Sequence, residues 1–196
     1  MVLDLHTTSA SGGIFTITSD VEQNIRTATK LHAPVVLGML DGLQGTTLHF
    51  FTSEQFQLDT IAISLEAGQH NDPNSVGRAI SALINCMRTI GCVQANQVES
   101  KHDEILKSYS RHLPKVVELR YVHRIQPNDQ FVMRPGYVNF QPIQKGKYWR
   151  KTVMAASELR KMVLFLCHFI KNREKTDFLW SKKCHESPFR ALPQFR

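Results

Sequence analysis

The chain has 196 residues, of which 42% are hydrophobic and 21% are charged. This composition is typical of one ordinary globular domain with a true core, and it argues against global disorder. The longest uncharged apolar run covers residues 162–169. Because a membrane-spanning helix needs roughly 20 apolar residues, the sequence predicts no membrane segment and no membrane partner.

The first residues and the cysteines predict a cytoplasmic protein. Residues 1–4 place no basic segment ahead of an apolar stretch, so we expect no signal peptide. The four cysteines form no C-x-x-C pair and no dense cluster. This spacing argues against a disulfide framework and against a structural zinc site, and it favours a reducing compartment.

The net charge of +7 is concentrated in the last quarter of the chain. Residues 1–144 hold 11 Lys and Arg against 13 Asp and Glu, whereas residues 145–196 hold 13 against 4. A basic tail of this kind is a candidate for binding nucleic acid or an anionic surface. The first 144 residues are instead typical of a mildly acidic enzyme or scaffold domain.

Strand and helix patterns alternate along most of the chain. Apolar and β-branched runs predict strands at residues 2–5, 14–18, 33–38, 60–65 and 116–122. Ser19 and Glu22 fit a capping box, so we expect a helix from there to about Leu31. This alternation predicts an α/β fold, in which ligands bind where strands end.

The clearest helix is predicted after Asp72, which is a suitable N-cap, with Pro73 as a suitable first residue. The apolar side chains that follow recur at helical spacing: Val76, Ile80, Leu83, Met87 and Ile90. Gly91 is a natural stop for this helix. A more polar helix is expected over residues 99–111, and residues 126–144 predict loops and short strands.

Two polar clusters at predicted strand ends could carry chemistry. Asp4 lies two residues before His6 on the same face of its strand, where its carboxylate could orient the imidazole. Glu66 is a single carboxylate after an apolar strand. A histidine there could bind a metal ion, and a glutamate beside a metal-bound water could move its proton. The alternative is a hydrogen-bonded surface or core histidine and a glutamate that is solvated or caps the following helix. His70, the only other histidine near Glu66, is predicted as a turn residue that could line the pocket.

At these two clusters the sequence resembles the succinylglutamate desuccinylase/aspartoacylase family, a branch of the zinc-carboxypeptidase-like hydrolases. Residues 4–8 (DLHTT) are similar to the family's D-L-H-x-T strand end, and residues 65–68 (LEAG) to its [IL]-E-x-G element. Residues 71–73 and the helix after them also resemble the bacterial members. The resemblance covers about residues 1–146.

The resemblance implies a partial mixed-sheet catalytic domain over residues 1–125 and the start of a β-rich domain over residues 126–146. It implies one zinc ion, with His6 as its third ligand and an H-x-x-E motif as the source of the other two. Glu66 would be the general acid/base in hydrolysis of a small N-acyl amino acid by zinc-activated water, and Asp4 would orient His6.

The sequence departs from the family at its beginning. None of the nine histidines starts an H-x-x-E motif, which lies upstream of D-L-H in the family. One histidine cannot hold a catalytic zinc ion that needs three protein ligands. We therefore expect an N-terminally truncated chain that by itself binds zinc weakly and is inactive. Its strands at residues 2–5 and 60–65 should expose open edges.

A second departure begins after Gly146. Residues 147–196 are basic and lack the Gly- and Asp-rich turns of the family's β-domain. Reading each codon one base earlier, with permitted codons, turns residues 148–179 into a string that resembles the family's C-terminal domain, including A-P-x-D-G and Q-G-E-D-G. This predicts an aberrant tail made by a frameshift, in which residues 162–170 could form a helix by composition. The alternative is a genuine basic extension that binds anions.

Three functions are compatible with the sequence. The first is a zinc-dependent amide hydrolase, present as an incomplete part. The second is a non-catalytic α/β fragment, and the third is an anion-binding protein that acts through the basic tail. The presence of His6 and Glu66 favours descent of the chain from a zinc-dependent amide hydrolase. The missing H-x-x-E motif favours a non-catalytic fragment as the function of the chain by itself. We do not expect nucleic acid as a partner.

Overall fold

Strands and helices alternate through residue 124, as the sequence predicts. The structure is a computed structural model, and it describes residues 1–43, 45–124, 132–133, 136–143, 150–151, 163–165, 170–172 and 175–183. The strands are β1 Val2–Thr8, β2 Phe15–Thr18, β3 Val35–Leu37, β4 Ala62–Gln69, β5 Val116–Arg124, β6 Val132–Met133, β7 Gln141–Ile143, β8 Arg150–Lys151, β9 Val163–Phe165, β10 Ile170–Asn172 and β11 Lys175–Lys183. The helices are α1 Glu22–Thr29, α2 Thr47–Phe50, α3 Ser53–Phe56, α4 Ser75–Thr89 and α5 Lys101–Ser110.

A mixed sheet organises these elements, in the order β1-β4-β2-β3-β5. β1 runs parallel to β4, β4 antiparallel to β2, and β2, β3 and β5 run parallel in turn. Strands β11, β9 and β7 continue the sheet beyond β5. The predicted α/β class with a mixed sheet is confirmed, and β1 lies at the edge of the described sheet.

Apolar layers cover both faces of this sheet. Leu65 of β4 packs with Ala82 of α4 on one face. Ala62 of the same strand packs with Phe15 on the other face. Because side chains alternate along a strand, Glu66 points to the same side as Ala62, away from α4.

Strands β1 and β4 are longer than the sequence predicts. They pair in constant register from Val2 opposite Ala62 to His6 opposite Glu66, and after a shift in register Thr8 lies opposite Gln69. The pairing therefore extends into the first of the small polar residues that suggested loops. The predicted open edge at residues 60–65 is wrong, because β4 pairs with β1 on one side and with β2 on the other.

The helix starts also differ from the prediction. The proposed capping box of Ser19 and Glu22 is wrong: α1 begins at Glu22 without a side-chain cap, and Ser19 Oγ instead accepts a hydrogen bond from Asn24 Nδ2 at 2.7 Å. Helix α4 begins at Ser75. Asp72 does not cap it, because Oδ1 of Asp72 accepts the backbone N–H of Asn74 at 2.9 Å and closes a turn before the helix.

Only part of the C-terminal quarter lies among the described residues. The helix predicted over residues 162–170 is wrong at residues 163–165, which form β9 and pair with β11. The predicted domain boundaries follow residues 125 and 146, and they lie within segments 125–131 and 144–149. These segments are outside the described residues, so the boundaries stay predictions. So does the frameshift origin of residues 147–196. Within the described part of the chain, no helix is long and apolar enough to cross a membrane.

Candidate active site at the edge of the sheet

His6 and Glu66 are direct partners in the β1–β4 register. Residues that are paired on neighbouring parallel strands project to the same face of the sheet, so the two side chains share the face opposite α4. Both residues lie inside strands rather than after them. The backbone ladder therefore fixes the spacing of the imidazole and the carboxylate.

Glu66 is a buried carboxyl group, with 3% of its surface exposed. On its other side it pairs with Phe15 of β2, whose ring belongs to the apolar core. Burial raises the pKa of Glu66 to about 7, although the nearby His6 lowers it and Asp4 raises it further. Near neutral pH such a group can both accept and donate a proton.

Asp4 holds the imidazole of His6. Its Oδ1 lies 3.0 Å from Nε2 of His6, and the two side chains share one face of β1. The His6 side chain is 54% exposed, whereas that of Asp4 is 23% exposed. With Asp4 at Nε2, the ring nitrogen that faces a ligand would be Nδ1. The structure thus places the two side chains in contact, and the orienting role of Asp4 stays a prediction.

These residues do not by themselves fit a catalytic zinc ion, which takes three protein ligands. Among the described residues, no group of three His, Cys, Asp or Glu side chains is placed to hold a metal ion. His6 can supply one ligand. The zinc ion that the resemblance implies would need further donors from outside the described residues.

Sequence reasoning missed Arg78, whose side chain is almost fully buried beneath this site. Its Nε donates to the carbonyl oxygen of Ala67 at 2.6 Å, and its Nη2 donates to Oδ2 of Asp72 at 2.5 Å. The guanidinium also lies 4.2 Å from the ring centre of Tyr109. Arg78 thus ties helix α4 to the backbone directly after Glu66. In the sequence, the one sign of its role was the position of Arg78 on the side of the predicted helix opposite the apolar residues.

A cavity of about 300 Å³ opens next to Arg78. Its walls come from the loop after β1, the end of β4, the turn before α4, and helices α4 and α5: Ser11, Gly12, Gly13, Ile14, Gly68, Gln69, Asp72, Arg78 and Tyr109. His70 is not among these residues. Its Nδ1 hydrogen-bonds Oγ1 of Thr7 at 2.8 Å and its backbone N–H donates to the carbonyl of Thr8, so it closes the turn onto β1.

The chain is thus an α/β domain with a histidine and a glutamate paired at the edge of its sheet, and its fold is similar to that of several solved structures. No family model matches the sequence, and no curated protein matches it. Solved structures do match, at 12–14% sequence identity. One is a succinylglutamate desuccinylase/aspartoacylase from Rhodobacter sphaeroides, with a TM-score of 0.51 over 92% of this chain and 49% of that chain.

Two further matches are structures of the ectoine utilization protein EutE (DoeB) from Ruegeria pomeroyi. The product-bound structure has a TM-score of 0.58 over 91% of this chain and 57% of that chain. The apo structure has a TM-score of 0.54 over 91% of this chain and 59% of that chain. The chain therefore has the fold of succinylglutamate desuccinylase/aspartoacylase structures, which confirms the predicted resemblance at the level of the fold. It spans about half the length of these neighbours.

Proposed function

We propose that this chain carries part of the active site of a zinc-dependent amide hydrolase that acts on small N-acyl amino acids. Glu66 is the proton-transfer group, His6 is one metal ligand, and Asp4 orients His6. The observation that carries this proposal is the register of β1 and β4, which pairs His6 with Glu66 on one face of the sheet. The fold likeness to solved hydrolases of this type supports it.

The environment of Glu66 suits proton transfer in amide hydrolysis. When water attacks the acyl carbonyl, it must lose a proton, and the leaving nitrogen must gain one before the C–N bond breaks. A carboxyl group with a pKa of about 7 can do both in turn near neutral pH. The products are a carboxylic acid and a free amino acid, and Glu66 returns to its starting state.

The missing ligands limit what the chain does alone. One histidine and a neighbouring carboxylate bind zinc far more weakly than three ligands do. We therefore expect the purified chain to show little or no hydrolysis by itself, and to need a second polypeptide segment that brings the remaining donors.

The test is a hydrolysis assay on the chain co-expressed with the polypeptide encoded directly upstream of its first codon. Zinc-loaded samples are incubated with N-succinyl and N-acetyl amino acids, and the release of free amine is measured. We expect hydrolysis from the pair and little from the chain alone. Glu66→Gln should lower kcat by about 10²- to 10⁴-fold, the usual contribution of a general acid/base.

Glu99→Gln is the matched control, because Glu99 is an exposed carboxylate paired with Lys101. It should leave the rate unchanged. The proposed function would be contradicted if the two polypeptides together still hydrolysed the substrates after Glu66→Gln. It would also be contradicted if they hydrolysed none of the substrates.

A further inference from the structure

The cavity beside Arg78 lies on the α4 side of the sheet. Two of the residues that line it, Ile14 and Tyr109, belong to the apolar cluster in which Leu65 packs against helix α4. Because side chains alternate along β4, Glu66 projects to the opposite face from Leu65. The cavity and the candidate catalytic carboxylate are therefore on different sides of the same strand.

Arg78 contributes a donor without an acceptor to the wall of this cavity. The residue is 1% exposed, and its Nη1 has no hydrogen-bond partner among the described residues. Its Nε and Nη2 already donate to the carbonyl oxygen of Ala67 and to Asp72. Leaving a buried cationic donor unpaired is unfavourable, and such a donor commonly has a bound water, ion or ligand as its acceptor. We therefore expect an acceptor that reaches Arg78 from the cavity.

The size of the cavity favours a small organic molecule over a single water. Its volume is about 300 Å³, whereas one water molecule takes roughly 30 Å³ in the liquid. Ligand pockets in proteins range from about 300 to 1,000 Å³, so this cavity suits a ligand of few atoms.

The charges at the cavity select the kind of ligand. Asp72 also lines it, and the side chain of Asp72 is 29% exposed. The hydrogen bond from Arg78 holds the pKa of Asp72 below its usual value, so this carboxylate is charged at neutral pH. A simple anion is attracted by Arg78 and repelled by Asp72. A molecule with a carboxylate and an ammonium group complements both side chains.

We propose that this cavity binds a small α-amino acid in its zwitterionic form. The ligand's carboxylate accepts a hydrogen bond from Nη1 of Arg78, its ammonium group faces Asp72, and its short side chain lies against Ile14 and Tyr109. The site goes beyond the proposed function, because it is on the other face of β4 from Glu66 and binding needs neither metal nor hydrolysis.

NMR titrations of the full, metal-free chain with L-alanine, acetate and methylamine test the site. Acetate carries only the carboxylate and methylamine only the ammonium group. We expect L-alanine to bind with a dissociation constant of about 1 mM. Acetate and methylamine should bind at least about 10-fold more weakly, since each lacks one charge-assisted contact. The Nε–H signal of Arg78 and the ring signals of Tyr109 should move as L-alanine is added.

Two conservative variants separate the two contacts. Arg78→Lys keeps the positive charge but loses Nη1, and it should weaken L-alanine binding by about 10-fold or more. Asp72→Asn should weaken L-alanine binding by about 10-fold and leave acetate binding no weaker. Arg26→Lys and Asp59→Asn are the matched controls at exposed positions, and they should change neither. Circular dichroism shows whether each variant is folded, and Asp72→Asn serves alone if Arg78→Lys does not fold.

Three results would overturn the proposal. The first is no saturable binding of L-alanine up to about 50 mM, well above the expected dissociation constant. The second is acetate binding as tight as that of L-alanine, which would show a plain anion site. The third is a response confined to His6 and Glu66, which would place the ligand at the candidate active site. L-alanine binding without hydrolysis by the two polypeptides together would defeat only the proposed function, and hydrolysis without L-alanine binding would defeat only this site.

Discussion

The guanidinium of Arg78 occupies the space that a Cβ atom at Gly68 would need. Gly68 also has a φ of +116°, a conformation that other residues rarely adopt. The close approach lets Arg78 reach the carbonyl of Ala67, one residue after Glu66. Arg78 of helix α4 therefore fixes the backbone directly after the candidate catalytic carboxylate, and this contact requires a glycine at position 68.

Gly68→Ala should destabilise the chain by about 2–4 kcal/mol, because the new methyl group strains the backbone and displaces a buried guanidinium. Thermal or urea unfolding measures the change. Gly77→Ala is the matched control, since no atom lies within 4 Å of its added Cβ on the exposed side of α4. It should stabilise the chain by roughly 0.5–1 kcal/mol. Equal effects of the two substitutions would contradict the role given to Gly68.

The raised pKa of Glu66 predicts a specific pH dependence of stability. The carboxyl titrates at about 7 in the folded chain and near 4.5 when unfolded, so the folded chain binds more protons between these values. Stability contributed by Glu66 therefore falls as pH rises through this window and levels off above it. Glu66→Gln removes this dependence.

The free energy of unfolding of Glu66→Gln, relative to the natural chain, should thus rise between pH 4 and pH 8 by on the order of 3 kcal/mol. Urea titrations across this range measure it. Glu99→Gln provides the comparison, because the contact with Lys101 lowers the pKa of Glu99 and its removal acts in the opposite direction. If the difference in free energy of unfolding between Glu66→Gln and the natural chain does not change with pH, the carboxyl group is not buried.

The candidate site could be predicted from the sequence because two short motifs carry it. What the sequence did not supply is the register that pairs His6 with Glu66, since strand pairing is set by contacts between distant segments. The same limit explains the strand ends. Local small residues suggested a loop after His6, but β1 extends to Thr8, which pairs with Gln69 beyond a shift in register.

Helix α4 shows a different limit. Its apolar spacing predicted the helix correctly, yet Ile80 and Leu83 are exposed while Ser81 and Asn85 are buried. Hydrogen bonds to α5 satisfy the buried polar side, including the contact of Ser81 Oγ with His102 Nδ1 at 3.2 Å. Periodicity identifies the two sides of a helix, but the partners around it decide which side is covered.

The nucleotide sequence of the gene tests the predicted origin of the basic tail. If a single-base shift near codons 145–147 produced residues 147–196, restoring the frame should yield the A-P-x-D-G and Q-G-E-D-G elements between positions 148 and 179. Sequencing independent clones of the gene checks this directly. Failure of every single-base shift to restore that string would leave a genuine basic extension, and salt-sensitive anion binding lost on its removal would then be the expected behaviour.

If His6 and Glu66 border one metal-binding site, Zn²⁺ added to the full chain should affect both side chains. The NMR signals of the histidine rings and of the glutamate carboxyl groups are followed as Zn²⁺ is added. We predict that His6 and Glu66 respond together, with a dissociation constant weaker than about 10 µM because the ligand set is incomplete. A response of other histidines that leaves His6 and Glu66 unchanged would show that these two residues do not border a common metal-binding site.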